Sequence, residues 1–177
     1  QRLLVPGLAW ALCVAHAVHA DARDRFYYLG YEIVQVIDGD TDAIVADIPM
    51  QGATREVGLT ADRKFLYVAA NRHLVHKVDL EQNKVVATAD VSNDGWDRLM
   101  FGFVVDAEGK TGYGAFMSRK TDQGEVVIGK PVVAQFDLAT GKLLRSVEVP
   151  WGVGHLVSVK GGRTLYAFGK DLYTIDT

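Results

Sequence analysis

The chain has 177 residues, of which 49% are hydrophobic and 23% are charged, and its formal net charge is −3. This composition is ordinary for a folded globular protein, and the length fits a single domain. The negative charge leaves no excess of basic residues for a nucleic-acid-binding surface, so we expect neither DNA nor RNA as a partner.

The first element in chain order is an apolar segment, LLVPGLAWALCVAHAVHA, which follows Arg2. A basic start, a short apolar core and small residues before a cleavage site are typical of a secretory signal peptide. The core is shorter than a convincing membrane span. We therefore predict a signal peptide over residues 1–22, cleaved after Ala20 or Ala22, and no membrane span after cleavage. An uncleaved anchor is the alternative.

The only cysteine, Cys13, lies inside this apolar segment. After cleavage the chain would therefore hold no disulfide, no thiolate metal site and no C-x-x-C-H haem attachment. An exported protein without cysteines fits the bacterial periplasm, which is the localisation we predict.

One phrase recurs along the rest of the chain: an apolar strand ending in Asp, a short turn and a second apolar strand. Its copies are QVIDGDTDAIVADI, KVDLEQNKVVATADV, AQFDLATGKLLRSVEV and LYTIDT, and they align on Asp38, Asp79, Asp137 and Asp176. A second phrase alternates with it and places a tyrosine on its later strand, at Tyr67, Tyr113 and Tyr166. A repeat of about 40 residues indicates an array of similar units.

Each unit holds four short strands, which we label A to D. In the second unit the predicted strands are Glu56–Thr60, Phe65–Ala69, Leu74–Asp79 and Val85–Ala89. Short strands separated by turn residues, with no sustained helical period, predict an all-β fold. Repeated four-stranded units of this length are typical of β-propeller blades.

The first unit lacks a strand A and the fourth ends after strand C. We therefore expect residues 23–177 to be the N-terminal part of a β-propeller, with about three to four blades and an incomplete ring. We expect seven blades at full length. Apolar pairs such as Ile44-Val45 and Val85-Val86 are expected on strands buried on both faces.

The turns carry residues that tolerate a positive φ angle, namely Asn83, Gly109 and Gly141. The sequence DGDTD at 38–42 resembles the start of a calcium loop, but it lacks the Gly and the Glu that an EF-hand needs at positions 6 and 12. Its position in the repeat favours a hairpin turn.

Candidate binding residues lie in the connections at one end of the strands. The D-to-A connections contain Trp96, Asp97 and Arg98, and then Trp151 and His155. Long loops on a rigid scaffold are where function concentrates, and Trp and Arg are enriched at interface hot spots. The alternative for each tryptophan is that it caps the core of a blade.

A further long B-to-C connection, SRKTDQGEVVIGKP, lies in the third unit. Elsewhere, His73 and His76 are three apart on a strand and so point to opposite faces, which argues against a shared metal. The sequence has no motif for a nucleophile and base, a zinc protease or a phosphate loop, so we predict no catalytic residue and no metal site.

The phrase KFLYVAANRHLVHKVDLEQNKVVATADV resembles the YVTN-type propellers. The stretches LMFGFVVDAEGKTGYGAF, KPVVAQFDLATGKLL and GGRTLYAFGKDLYTID, with the long third-unit connection, look like the propeller (beta) subunit of the quinohemoprotein amine dehydrogenases. The resemblance extends from about residue 25 to residue 176.

The resemblance implies a periplasmic enzyme that oxidises primary amines. It also implies that haem c and a cysteine tryptophylquinone are carried by two partner subunits, and that this chain binds neither cofactor. Its role would be to hold the small quinone-bearing subunit and to wall the substrate cavity. Two alternatives stay open: a stand-alone exported YVTN-type propeller that binds a protein or glycan, and a haem-d1-type propeller, for which we identify no ligands.

Overall fold

The structure is a computed structural model that describes residues 24–92, 94–159 and 163–177. The predicted signal peptide and Cys13 lie outside these residues. The described residues form strands and turns and contain no helix, which confirms the all-β prediction. None of them therefore forms a helix long and apolar enough to cross a membrane. The strands are β1 Arg25–Leu29, β2 Tyr31–Asp38, β3 Ile44–Leu59, β4 Phe65–Ala70, β5 Leu74–Asp79, β6 Lys84–Asp90, β7 Asp97–Val105, β8 Thr111–Asp122, β9 Glu125–Ile128, β10 Val132–Asp137, β11 Leu143–Glu148, β12 His155–Val159, β13 Thr164–Phe168 and β14 Leu172–Asp176.

All neighbouring strands pair antiparallel, and they fall into four groups that we call sheets 1 to 4. Sheet 1 contains β1, β2 and the first half of β3, while sheet 2 contains the second half of β3 with β4, β5 and β6. Sheet 3 has the order β11-β10-β8-β7, with β9 also paired to β8, and sheet 4 is β12-β13-β14.

Sheets 1 and 2 are joined by the single long strand β3, where the sequence predicted two separate strands. The chain changes partners near Gly52, which has a φ of 90°. A side chain there would meet the amide of Asn71, and Asn71 instead accepts a hydrogen bond from the backbone N–H of Ala53 at 3.0 Å. A glycine bend thus replaces the expected loop, because only glycine adopts this φ without strain.

Three of the four predicted strands of the second unit agree with the structure, since β4, β5 and β6 begin and end within one residue of the predicted bounds. Among the described residues, sheet 1 has no strand A and sheet 4 has three strands, as the repeat predicted.

Consecutive sheets pack face to face around three buried apolar clusters. One cluster lies between sheets 1 and 2, one between sheets 2 and 3, and one between sheets 3 and 4. Their largest fully buried members include Val34, Ile48, Phe116, Phe136 and Leu165. Burial of such side chains supplies about 1.5–3 kcal/mol each, so the stacking of the sheets is the main stabilising feature of the fold.

The outermost strands are less buried than the sequence suggested. Ile44, Val45 and Val86 are exposed, so the expectation of burial on both faces is wrong for these strands. Val86 lies on β6, the last strand of sheet 2, and Ile44 and Val45 lie on the first half of β3, which pairs with β2 on one side only.

The first strands of sheets 2, 3 and 4 lie side by side. A Cβ at Gly58 of β3 would be 2.7 Å from a methyl of Val105 in β7. A Cβ at Gly102 of β7 would be 2.9 Å from the carbonyl oxygen of Gly154 and 3.0 Å from the amide nitrogen of Leu156 at β12. Glycine at these positions is what allows the strands to approach.

The turns that follow the repeated aspartates share one geometry. Asp38, Asp79 and Asp137 each accept backbone hydrogen bonds from the residues two and three positions later. Asn83, Gly109 and Gly141 have positive φ angles, as predicted. Residues 38–43 therefore form the hairpin turn that their position in the repeat predicted.

Candidate functional site

The candidate site lies at the end of the strands where sheets 2 and 3 are connected. The backbone N–H of Val91 donates to the carbonyl of His73 at 2.9 Å, and that of Met100 donates to the carbonyl of Arg72 at 2.7 Å. The Arg72 guanidinium also lies 4.7 Å from the centroid of the Phe101 ring. The β4–β5 turn is therefore fixed against the start of β7, and the β6–β7 loop is held between them.

Arg98 is the residue that organises this loop. It is 5% exposed, and its guanidinium donates to the carboxylate of Asp94 at 2.6 and 2.5 Å and to the carbonyl of Val91 at 2.6 Å. Its backbone N–H donates to the hydroxyl of Ser92 at 2.9 Å. The hydrogen bonds from Arg98 lower the pKa of Asp94 below its ordinary value. The structure thus places Arg98 beneath the loop, where it holds the loop's shape.

Trp96 lies on this loop and is half-buried. The Lys120 ammonium is 5.2 Å from the centre of its ring, and a Cβ at Gly129 would be 3.3 Å from the ring edge. Asp97 begins β7 and accepts a hydrogen bond from Nε of Arg119 at 2.7 Å, across the strand pair. Trp96 and Asp97 therefore sit against strand β8, in contact with cations that the sequence had not singled out.

Those cations belong to a hairpin that replaces the predicted long B-to-C loop. β8 extends beyond sheet 3 and pairs with β9 through a turn in which Gln123 and Gly124 both have positive φ. This turn geometry matches the twist of a two-stranded hairpin. We call residues 119–128 the arm. Three consecutive apolar side chains of the arm, Val126, Val127 and Ile128, are exposed.

An open groove of about 330 Å³ lies between the arm and the β6–β7 loop. Its lining includes Asp97, Arg119, Lys120 and Val126. A larger groove of about 750 Å³ lies next to β1 and the β5–β6 turn, and it includes none of the predicted site residues. The smaller groove is lined by one of the predicted site residues, Asp97.

Of the other two predicted residues, Trp151 lies on the β11–β12 connection and His155 begins β12. Trp151 is 59% exposed and precedes Gly152, whose φ is 92°. His155 is exposed at the first position of β12, where it pairs with Phe168 of β13. The structure thus groups Trp96 and Asp97 with the arm, and it places Trp151 on the next connection along the stack and His155 at the end of that connection.

His73, in the β4–β5 turn, and His76, on β5, have separate partners. His73 Nδ1 lies 3.1 Å from Oδ1 of Asp90. His76 is buried, with Nε2 donating to the carbonyl of Gln51 at 2.8 Å and Nδ1 2.8 Å from the Thr88 hydroxyl. Within residues 24–92, 94–159 and 163–177, no group of three His, Cys, Asp or Glu side chains could hold a metal ion.

The site is chemically suited to contact a macromolecule, because it combines aromatic, cationic and apolar side chains on a shaped surface. The sequence located Trp96 and Asp97 but missed Arg119, Lys120 and the apolar side chains of the arm. The signal that could have found the arm is the β-branched run Val126-Val127-Ile128 after the turn residues at 122–124. No protein-family model and no curated protein matches this chain.

Proposed function

We propose that this chain is a β-propeller subunit without catalytic residues of its own, and that it binds partner proteins through the β6–β7 loop, the arm and the β11–β12 connection. On the resemblance described above, the assembly is a periplasmic quinohemoprotein amine dehydrogenase. The haem c subunit and the small subunit with cysteine tryptophylquinone are the partners, and they carry the redox cofactors for oxidative deamination of primary amines.

The observation that carries the proposal is that Trp151 is exposed on the β11–β12 connection and that a braced β6–β7 loop presents Trp96. A Trp on a rigid surface supplies large contact area with little loss of conformational entropy, and such residues dominate binding energy at interfaces. The loop is rigid because buried Arg98 fixes it from below. The face-to-face sheets with adjacent first strands are compatible with blades arranged around an axis.

The test is binding of the two partner subunits to variants of this chain. Trp151→Ala and Trp96→Ala are each expected to weaken binding about tenfold or more, since an interface tryptophan contributes about 2 kcal/mol or more. Trp151→Ala is expected to leave the melting temperature unchanged because the side chain is exposed. The control is Leu144→Ala, which removes an exposed apolar side chain from β11.

Unchanged affinity for both tryptophan variants would contradict the proposed surface. A large fall in melting temperature for both variants would instead indicate that the two tryptophans stabilise the fold. The alternative function is that of a stand-alone propeller that binds a protein or glycan. For that alternative, the exposed apolar side chains of the arm favour a protein as the ligand. Failure of the wild-type chain to bind either amine dehydrogenase subunit would favour that alternative.

A further inference from the structure

The chain contains two Asp-Gly pairs, Asp38-Gly39 and Asp94-Gly95. A peptide chain isomerises readily at such a pair, because glycine has no side chain to hinder its own backbone nitrogen. That nitrogen attacks the side-chain carbon Cγ of the aspartate and expels water, which gives a five-membered succinimide ring. Hydrolysis returns the water at either carbonyl of the ring. One of the two products is isoaspartate, in which the backbone continues through Cγ.

The first pair is enclosed in the β2–β3 turn. Asp38 is 8% exposed, and its Oδ1 accepts hydrogen bonds from the backbone of the turn. The N–H of Gly39 donates to the carbonyl of Asp24 at 2.8 Å, so the nitrogen that would attack is already engaged. A Cβ at Gly39 would lie 2.8 Å from the same oxygen. Ring closure at Asp38 therefore requires the turn to come apart.

The second pair lies on the outer side of the β6–β7 loop. The side chain of Asp94 is 48% exposed, and Gly95 is exposed as well. Gly95 has a φ of 86°, and a Cβ there would meet no atom within 4 Å apart from its chain neighbours. The surroundings of Gly95 therefore leave room for a succinimide ring and for the water that hydrolyses it.

Arg98 holds the carboxylate of this second pair. Its guanidinium donates to the two oxygens of Asp94 at 2.6 and 2.5 Å, and the N–H of Trp96 donates to Oδ1 at 3.3 Å. Ring closure is effective only on the protonated carboxyl group, whose hydroxyl can leave as water. The hydrogen bonds from Arg98 favour the ionised form and lower the pKa of Asp94. They must therefore open before the ring can close.

We propose that Asp94-Gly95 is a site of spontaneous isoaspartate formation in the folded chain, and that the buried guanidinium of Arg98 restrains the reaction. The product carries its carboxylate directly on Cα and has one more carbon in the backbone, so it no longer fits the two hydrogen bonds to Arg98. The loop then loses the contact that fixes its shape and the position of Trp96. The inference is independent of what the loop binds.

The test is ageing of the full chain at physiological temperature and neutral pH, with isoaspartate measured at each pair by mass spectrometry of proteolytic peptides. In the wild type we expect isoaspartate to accumulate at Asp94 faster than at Asp38. In Arg98→Met we expect accumulation at Asp94 to be about tenfold faster or more, since a charge-assisted hydrogen bond no longer has to break. Ser92→Ala is the matched control, because it removes a loop hydrogen bond to the backbone of Arg98 and leaves the carboxylate held; we expect it to age like the wild type.

Asp38 in the same sample reports whether a variant is folded, because unfolding exposes both pairs. If Arg98→Met ages faster at both pairs, Arg98→Lys decides instead, since it keeps the cation but not the paired hydrogen bonds. We expect Arg98→Lys to react at Asp94 faster than the wild type and slower than Arg98→Met. Ageing at Asp94 as slow as the wild type in both Arg98 variants, or as fast in Ser92→Ala as in Arg98→Met, would overturn the role of Arg98. A folded wild type that reacts no faster at Asp94 than at Asp38 would overturn the site itself.

Discussion

The contact between sheets 2 and 3 can be tested by removing one hydroxyl. Tyr67 is 2% exposed, and its hydroxyl donates to the carbonyl of Gly109 in the β7–β8 turn at 2.7 Å. Tyr67→Phe keeps the ring in the cluster and deletes the hydrogen bond. A neutral hydrogen bond contributes about 1 kcal/mol, and a half-buried acceptor left without its donor adds to the loss. We therefore expect a loss of about 1–2 kcal/mol in the free energy of unfolding.

The same hydroxyl gives the stability a dependence on alkaline pH. Burial raises the pKa of Tyr67 above its ordinary value, and the carboxylate of Asp106 adds to the shift. Because the pKa is raised in the folded state, the stability that the Tyr67 hydroxyl contributes is fully present below about pH 10, the pKa of tyrosine in the unfolded chain. This stability is lost as the pH rises through the pKa of the folded state. Tyr67→Phe should therefore lose less stability than the wild type above about pH 10.

Urea unfolding at neutral pH and above pH 10 measures both effects, with Tyr31→Phe as the control because Tyr31 is exposed at the start of β2. We expect the control to unfold within about 0.5 kcal/mol of the wild type. If Tyr67→Phe is as stable as the control at neutral pH, the hydroxyl does not join the two sheets and the described packing is wrong.

Two further substitutions probe the approach of the strands and the braced loop. Gly102→Ala places a methyl 2.9 Å from the Gly154 carbonyl oxygen and should lower the free energy of unfolding, measured in urea, by about 1–3 kcal/mol. The control Gly154→Ala, whose added methyl has its nearest contact at 3.7 Å, should lower it less. Equal losses for the two variants would contradict the close approach of β7 and β12. Arg98→Met removes the hydrogen bonds to Asp94 and to a buried carbonyl and should cost about 2 kcal/mol at neutral pH. Because Arg98 lowers the pKa of Asp94, the stability that this pair contributes is present above about pH 4 and is lost as the pH falls through the pKa of Asp94 in the folded state. The Arg98→Met variant should therefore lose less stability in acid than the wild type. If the two proteins lose stability identically in acid, the pairing is contradicted.

The fold was largely predictable because the repeat is visible in the sequence. The recurrent aspartates fix equivalent turns, and β4, β5 and β6 agree with their predicted bounds to within one residue. The continuous strand β3 was not predictable, since it depends on the φ angle of Gly52 and on its contact with Asn71. The exposure of Ile44 and Val45 was also missed, because a local apolar pair does not reveal whether its strand lies at the outer side of a sheet.

The candidate site was predictable only in part. Trp96 and Trp151 could be placed on connections from the repeat alone, whereas Asp97 proved to be the first residue of β7. The buried position of Arg98 could not, because it depends on the carbonyl of Val91, which the loop turns toward the guanidinium. The hydrogen bond between Asp97 and Arg119 follows from the register in which β7 pairs with β8. The register between two strands is not visible in the local sequence of either strand.

The side-by-side arrangement of β3, β7 and β12 is the structural feature that the propeller proposal requires. Nuclear Overhauser effects in the full chain measure it directly, because a glycine Hα occupies the place where a Cβ would be. The account predicts a cross-peak between Gly58 Hα and the Val105 methyls, and one between Gly102 Hα and His155 Hα. If both are absent while the cross-peaks within each sheet are observed, the sheets are not arranged as described, and the proposed loop surface does not exist.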